Sequence, residues 1–168
     1  MKRLLVLADT HVAHPGSRPV PDEVWAVART ADLILHAGDV TSQWLLDELS
    51  GVAPVVAVLG NNDLELRHVL PEAVDLEVEG LPIAMLHDSG PTEGRPARLH
   101  RRFPDAGVVV YGHSHVPDDS DGVGGQRLFN PGSCTQRRRQ PHATYGLLGI
   151  RGGRLVEHRV VTLRPPAN

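Results

Sequence analysis

Apolar residues in the first sixty positions fall into short unbroken runs, each closed by a polar or glycine-rich segment. Arg3–Ala8, Asp32–His36 and Pro54–Leu59 are rich in Val, Leu and Ile with no helical spacing, the pattern of strands buried on both faces. Between them lie Asp22–Arg29 and Thr41–Leu49. The second carries Trp44, Leu45 and Leu49 at helical spacing behind Thr41 as N-cap, and reads as an amphipathic crossover helix. A βαβαβ order predicts an α/β domain with parallel strands.

The second half has a different texture. Ala73–Glu79 and Leu81–Leu86 flank Gly80 as strands joined by a tight turn, and Arg98–Arg102 reads as a short basic helix. Gly107–Tyr111 is a further buried strand. Leu128-Phe129, Thr144–Ile150 and Arg154–Leu163 follow, the last two forming a hairpin across Arg151-Gly152-Gly153. Val116–Gly125, crowded with Gly, Asp and Pro, is expected to be an exposed loop, and Arg164–Asn168 a frayed tail. The expected architecture is two packed sheets covered by helices in one domain over residues 1–163, with no internal repeat or linker.

Composition narrows the class. At 168 residues, with 22% charged and 40% hydrophobic positions, the chain is sized and balanced for a single globular domain. A formal charge of −3 gives no overall electrostatic reason to seek nucleic acid or an anionic membrane. Lone Cys134 forms no intrachain disulfide and suits a reducing compartment. Lys2-Arg3 and the five apolar residues after them mimic a signal peptide until Asp9 interrupts the run, and no stretch approaches membrane-spanning length, so a cytoplasmic location is expected. What stands out is ten His against 4% aromatics, more imidazole than packing needs.

The polar residues that close these strands share one place, the carboxyl end, where open α/β sheets keep ligand sites. The first three strands end in Asp9-Thr10-His11, His36-Ala37-Gly38-Asp39 and Gly60-Asn61-Asn62-Asp63. Leu81–Leu86 runs into His87-Asp88, and Gly107–Tyr111 into Gly112-His113-Ser114-His115. In extended chain Asp9 and His11 face one way, as do His113 and His115, so each pair can grip one ion. Each motif has a bland alternative: an Asx turn at Asp9, a helix cap at Asp39, turn formers at Asn61 and Asn62, a core histidine at His87. All of these would have to hold together at five strand ends.

The donor set points to metal chemistry. Asp9, Asp39, Asn61, His11, His87, His113 and His115 mix oxygen and nitrogen donors, which suits Mn, Fe, Co, Ni or Zn better than Ca or Mg. No cysteine is near, so a thiolate zinc site is excluded. Seven donors exceed what one ion with an open position needs. Two ions sharing a carboxylate fit better; such a pair holds a hydroxide and clamps the attacking and leaving oxygens of an in-line displacement at phosphorus. Two divalent ions less two Asp carboxylates leave about +2, which suits an anionic phosphate ester.

The order Asp-x-His, Gly-Asp, Gly-Asn-x-Asp, a His after a strand, then Gly-His-x-His resembles the calcineurin-like metallophosphoesterases. The short length and Phe129-Asn130-Pro131-Gly132-Ser133 are similar to the small bacterial and archaeal phosphodiesterase branch, itself similar to the Vps29 retromer subunit. The resemblance spans roughly residues 3–162. It implies a four-layer α/β/β/α sandwich of two mixed sheets with a two-metal site, often manganese-loaded. By position, it implies that Asp9, His11, Asp39 and His115 hold the first ion. Asp39, Asn61, His87 and His113 hold the second, Asp39 bridging.

Two departures matter. Asn62 stands where many members of the superfamily have a His placed to protonate the leaving group, and an amide delivers no proton at neutral pH. Substrates with acidic leaving alcohols are therefore favoured. His87-Asp88-Ser89-Gly90 replaces the common His-Gly-His, so the rim differs from that of relatives. Among lesser features, His36 is a supporter of the site or a core histidine, Asp63 a candidate to orient a neighbouring ligand, and Arg137-Arg138-Arg139 a phosphate collector or a solvated run.

The expected function is that of a binuclear metal-dependent phosphoesterase hydrolysing small phosphodiesters through a metal-bridging hydroxide, with Asp39, Asn61 and His87 positioning hydroxide and phosphate. The competing reading is a Vps29-like protein-binding scaffold with little or no catalysis, which need not retain all seven donors. A nuclease would want a basic groove and stacking aromatics, which argues against nucleic acid as partner. Self-association stays open.

Overall fold

The computed structural model describes residues 1–17 and 19–163. Among the described residues, ten strands form two five-stranded sheets. In the first, β1 (Lys2–Leu7), β2 (Leu33–His36) and β3 (Val55–Ala57) run parallel, and β9 (Thr144–Arg151) and β10 (Arg154–Thr162) add antiparallel, in the order β10-β9-β1-β2-β3. The second contains β4 (Ala73–Val78), β5 (Leu81–Leu86), β6 (Val108–Val110), β7 (Asp118–Asp121) and β8 (Arg127–Asn130) in the order β4-β5-β6-β8-β7. There β5, β6 and β8 are parallel, so each sheet points a set of parallel strand ends at one region.

Strand alternation sorts the apolar side chains into three cores. Leu5 and Leu7 of β1 face α1 (Asp22–Ala28) and α2 (Gln43–Ser50), packing with Val24, Ala28, Leu45 and Leu49. Leu4, Val6 and Ala8 point the other way, into a core shared with Ile83, Met85, Val108, Val110 and Phe129 of the second sheet. The far side of that sheet, with Ala84, Leu86 and Val109, is covered by Leu99 and Phe103 of α3 (Arg95–Arg102) and the residue after it. This is the expected α/β/β/α sandwich of two mixed sheets. Each fully buried aliphatic side chain contributes about 1.5–3 kcal/mol, and the central strands, buried on both faces, fix the position of the loops that follow them.

Three local expectations are corrected. Val116–Gly125 is not simply a loop: Asp118–Asp121 is an edge strand, paired antiparallel with β8 from Asp118 opposite Asn130 to Asp121 opposite Arg127. Its all-polar sequence hides it, because backbone pairing, an Arg127–Asp121 ion pair at 2.9 Å and a His158 contact to Asp119 at 2.8 Å hold it in place of apolar packing. Charged residues on an edge also discourage pairing with other chains. The N-cap of α2 is Ser42, whose Oγ accepts from Leu45 N–H at 3.4 Å, and Thr41 precedes it at φ 72°. The basic helix begins at Arg95 rather than Arg98, with Pro96 in its first turn. The predicted frayed tail lies outside the described residues. No helix among the described residues is long and apolar enough to cross a membrane.

Candidate metal centre

Parallel pairing of β1 with β2 continues past the strand ends. Ala37 N–H donates to Leu7 C=O at 2.8 Å, Asp9 N–H to Gly38 C=O at 2.9 Å and His11 N–H to Asp39 C=O at 3.0 Å, so the Asp9–His11 and Gly38–Asp39 segments lie side by side. The chain there is not extended. Asp9, His11, Asp39, His113 and His115 all have positive φ, between 48° and 68°. The two-residue spacing therefore brings side chains together through left-handed turns, which correct the extended geometry expected from sequence. Each such residue costs about 1 kcal/mol or more, and five of them mark one site. Close backbone approach is a further requirement: a Cβ at Gly60 would lie 2.2 Å from Asp39 Oδ1.

All seven expected donors meet in one cluster. His11 Nε2 lies 3.3 Å from His115 Nε2, His115 Nε2 lies 3.5 Å from Asp9 Oδ1, and His11 Nε2 lies 3.4 Å from Asp39 Oδ2. His87 Nε2 is 3.5 Å from Asp39 Oδ2, 4.0 Å from Asp9 Oδ1 and 3.0 Å from Asn61 Oδ1, and His113 Nδ1 is 3.0 Å from the same amide oxygen. Donor atoms of Asp9, His11 and His115 fall within 4.8 Å of one another, as do those of Asp9, Asp39 and His87. Asp9 thus stands between the two groups, while Asp39 Oδ2 also reaches a histidine of each.

The surroundings orient these donors inward. His87 Nδ1 bonds the Ala37 carbonyl at 2.7 Å and His115 Nδ1 the Gln136 carbonyl, so both rings carry their proton on Nδ1 and turn the Nε2 lone pair into the cluster. His87 Nε2 and Asn61 Oδ1 then face each other as two acceptors, an arrangement that needs a proton or a metal cation between them. Both oxygens of Asp9 are buried without a hydrogen bond. Burial raises the Asp9 carboxyl to about 7, against the pull of His87. Burial also lowers the pKa of His11 and that of His115, the latter to about 4. Burial opposes charge on His87 as well, but the Asp39 carboxylate and the Ala37 carbonyl outweigh it and raise its pKa. Unsatisfied buried carboxylate oxygens, the His11 and His115 imidazoles held neutral, and mixed O and N donors together fit divalent metal ions.

The profile of the calcineurin-like phosphoesterase superfamily domain matches residues 1–153. The chain belongs to that superfamily. A probable metallophosphoesterase of Methanothermobacter thermautotrophicus is 34% identical over 135 residues, covering 79% of this chain and 77% of that protein. Vps29 of Entamoeba histolytica, crystallised with zinc, superposes with a TM-score of 0.77 at 23% identity, covering 96% of this chain and 98% of that one. An archaeal phosphodiesterase superposes at 0.73 and 20% identity, covering 96% and 99%.

Within this metallophosphoesterase-family chain, residues beyond the donors hold the centre. Asp63 accepts backbone N–H groups of Asp39 (2.9 Å), Thr41 (2.7 Å) and Gly60 (2.7 Å), tying the loops after β2 and β3 together. Asn62 contacts Asp39 rather than open space, its backbone N–H on Oδ1 at 2.8 Å and its amide on Oδ2 at 2.7 Å. Burial alone would raise Asp39, yet His87 and the two Asn62 bonds carry its carboxyl well below the usual range. His36 is wholly buried, depressed by that burial to about 3, and bonds Thr10 Oγ1 at 3.0 Å; it supports the loop between Asp9 and His11.

Sequence reasoning assigned no role to three residues that position ligands. Asn130 Nδ2 donates to Gly112 C=O at 3.0 Å, Ser133 Oγ to Asp9 C=O at 2.8 Å and Thr135 Oγ1 to Thr10 C=O at 2.5 Å. The signal was available in part, since Asn130 is a buried polar residue closing β8, the sixth parallel strand to end at this site.

Proposed function

We propose that the chain is a divalent-metal-dependent phosphodiesterase acting on small phosphodiesters. The observation that carries this reading is the convergence of seven donors around a buried Asp9 carboxylate with no hydrogen-bond partner of its own. Asp9, His11, Asp39 and His115 would hold one ion, and Asp39, Asn61, His87 and His113 a second, manganese being favoured among Mn, Fe, Co, Ni and Zn. When bound, such ions supply Lewis-acid polarisation of the phosphate and acidify coordinated water.

The chain's own contribution is positioning. The Ala37 and Gln136 carbonyls fix which nitrogen of His87 and of His115 faces inward, and Asp63 fixes the backbone that carries Asp39. Asn62 keeps Asp39 ionised but offers no proton to a leaving group, so diesters with acidic leaving alcohols are the favoured class.

Purified protein loaded with manganese is expected to hydrolyse bis-(p-nitrophenyl) phosphate in preference to p-nitrophenyl phosphate, to bind two ions per chain by elemental analysis, and to stop when chelator is added. Absence of hydrolysis with metal bound would favour the second reading, a protein-binding scaffold, which the likeness in fold to Vps29 supports.

A further inference from the structure

His87 and His115 turn Nε2 into the cluster, each with Nδ1 on a backbone carbonyl, that of Ala37 at 2.7 Å and that of Gln136. His113 is reversed. Its Nδ1 faces Asn61 Oδ1 at 3.0 Å, and its Nε2 faces the Asp88 carboxylate, with Oδ2 at 4.0 Å. Asp88 belongs to His87-Asp88-Ser89-Gly90, the segment in which the chain departs from the His-Gly-His of the family resemblance.

The loop aims this carboxylate. Asp88 Oδ1 accepts the Gly90 N–H at 2.7 Å, an Asx turn that leaves Oδ2 for His113. Arg98 of α3 braces the turn from the other side, donating to the Ser89 carbonyl through Nε at 3.0 Å and Nη2 at 2.8 Å. Gly90 itself has φ 75°, and a Cβ there would meet Arg98 Nε at 3.1 Å, so the turn needs glycine. The side chains of His113 and Asp88 are 45% and 58% exposed, which leaves them room to close to hydrogen-bond distance.

The ring chemistry gives the contact its purpose. Neutral His113 carries one ring proton, and when Nδ1 serves as a ligand that proton is on Nε2. A carboxylate accepting it fixes the ring and makes Nδ1 a stronger donor. Of the two ligand sets, Asp39, Asn61, His87 and His113 have the greater need of this, since their one carboxylate is shared, whereas Asp9, His11, Asp39 and His115 include two. Asp88 adds negative charge behind His113 without taking a coordination position from substrate.

We propose that Asp88 is a positioning residue of the second metal site, its carboxylate holding the Nε2–H of His113 when Nδ1 takes the ion. The proposal rests on the metal-binding part of the reading above and not on the reaction. It is tested by calorimetric titration of metal-free wild type, Asp88→Asn and Asp88→Ala with manganese, and by proton NMR of the zinc-loaded wild type and Asp88→Asn. In Asp88→Asn the side-chain oxygen can keep the turn with Gly90 while the NH2 group, a donor, faces His113. A role in the turn alone therefore predicts wild-type binding by Asp88→Asn, and positioning predicts loss.

One of the two ions is expected to bind about tenfold or more weakly in both variants, the other being unchanged. The His113 Nε2–H resonance should lie downfield in the wild type and move upfield in Asp88→Asn. Manganese bound equally by wild type and Asp88→Asn, or equal weakening of both ions, overturns the proposal while the metal reading stands. A wild type that binds no manganese brings down the metal reading and this proposal with it.

Discussion

Asn62 grips both oxygens of Asp39, through its backbone N–H at 2.8 Å and its side-chain amide at 2.7 Å. The residue that stands where the family resemblance implies a proton donor is thus turned onto a carboxylate that reaches histidines of both ligand groups. Its two bonds help to keep that carboxylate charged, and an amide carries no proton to give at neutral pH.

Asn62→His is expected to raise hydrolysis of alkyl phosphodiesters by about a hundredfold, the lower end of what a positioned acid contributes, while altering bis-(p-nitrophenyl) phosphate little, since p-nitrophenolate leaves without help. Comparing kcat/KM across leaving groups of graded pKa checks this. A uniform effect on all of them would show that Asn62 does not stand in an acid's place.

Asp63→Ala removes the shared acceptor of three backbone N–H groups, two of them donated by the buried Asp39 and Gly60. Each orphaned buried donor costs about 1–3 kcal/mol. Urea unfolding of the metal-free protein should show a loss of about 3 kcal/mol or more, and manganese affinity should fall with it, because the loop carrying Asp39 is no longer held. A loss under about 1 kcal/mol would mean that other groups hold that loop.

Asp9→Asn should stabilise the metal-free protein at high pH. Burial raises the folded Asp9 carboxyl from 3.8 to about 7, so ionising it costs free energy that is absent below about pH 4, grows between pH 4 and 7, and is complete above that. At about 1.4 kcal/mol per pKa unit, the variant should be more stable by a few kcal/mol at pH 8, the gap closing toward pH 4. Thermal unfolding across pH in chelator measures it. Adding manganese should reverse the ranking, stabilising wild type alone.

The frame was legible because β1, β2, β5 and β6 are apolar runs whose polar ends are abrupt, and a strand end buried between helices and a second sheet has one place to put an Asp or His. Asp9, His11, Asp39, Asn61, His87, His113 and His115 could therefore be named from sequence. The backbone that brings them together could not. Left-handed φ at five of these seven residues could not be read from Asp or His, which enter that region more readily than most residues but still only rarely, and the extended geometry suggested by their spacing was the wrong reason for the right neighbours. Asp118–Asp121 was missed because backbone pairing, ion pairs and the Tyr111 hydroxyl on Asp118 hold it, with no apolar residue of its own to signal a strand. The three-way role of Asp63 depends on two loops from different strands meeting, a long-range contact invisible in Gly60-Asn61-Asn62-Asp63.

Hydrolysis of bis-(p-nitrophenyl) phosphate by wild type and Asp39→Asn, each with manganese, tests the two-ion phosphodiesterase account most directly. Asparagine tolerates the left-handed backbone at this position and keeps the side chain's size, so the variant should fold as the wild type does by circular dichroism. The account predicts metal-dependent turnover in the wild type and loss of about a thousandfold or more in the variant. Full activity in a folded Asp39→Asn would contradict it.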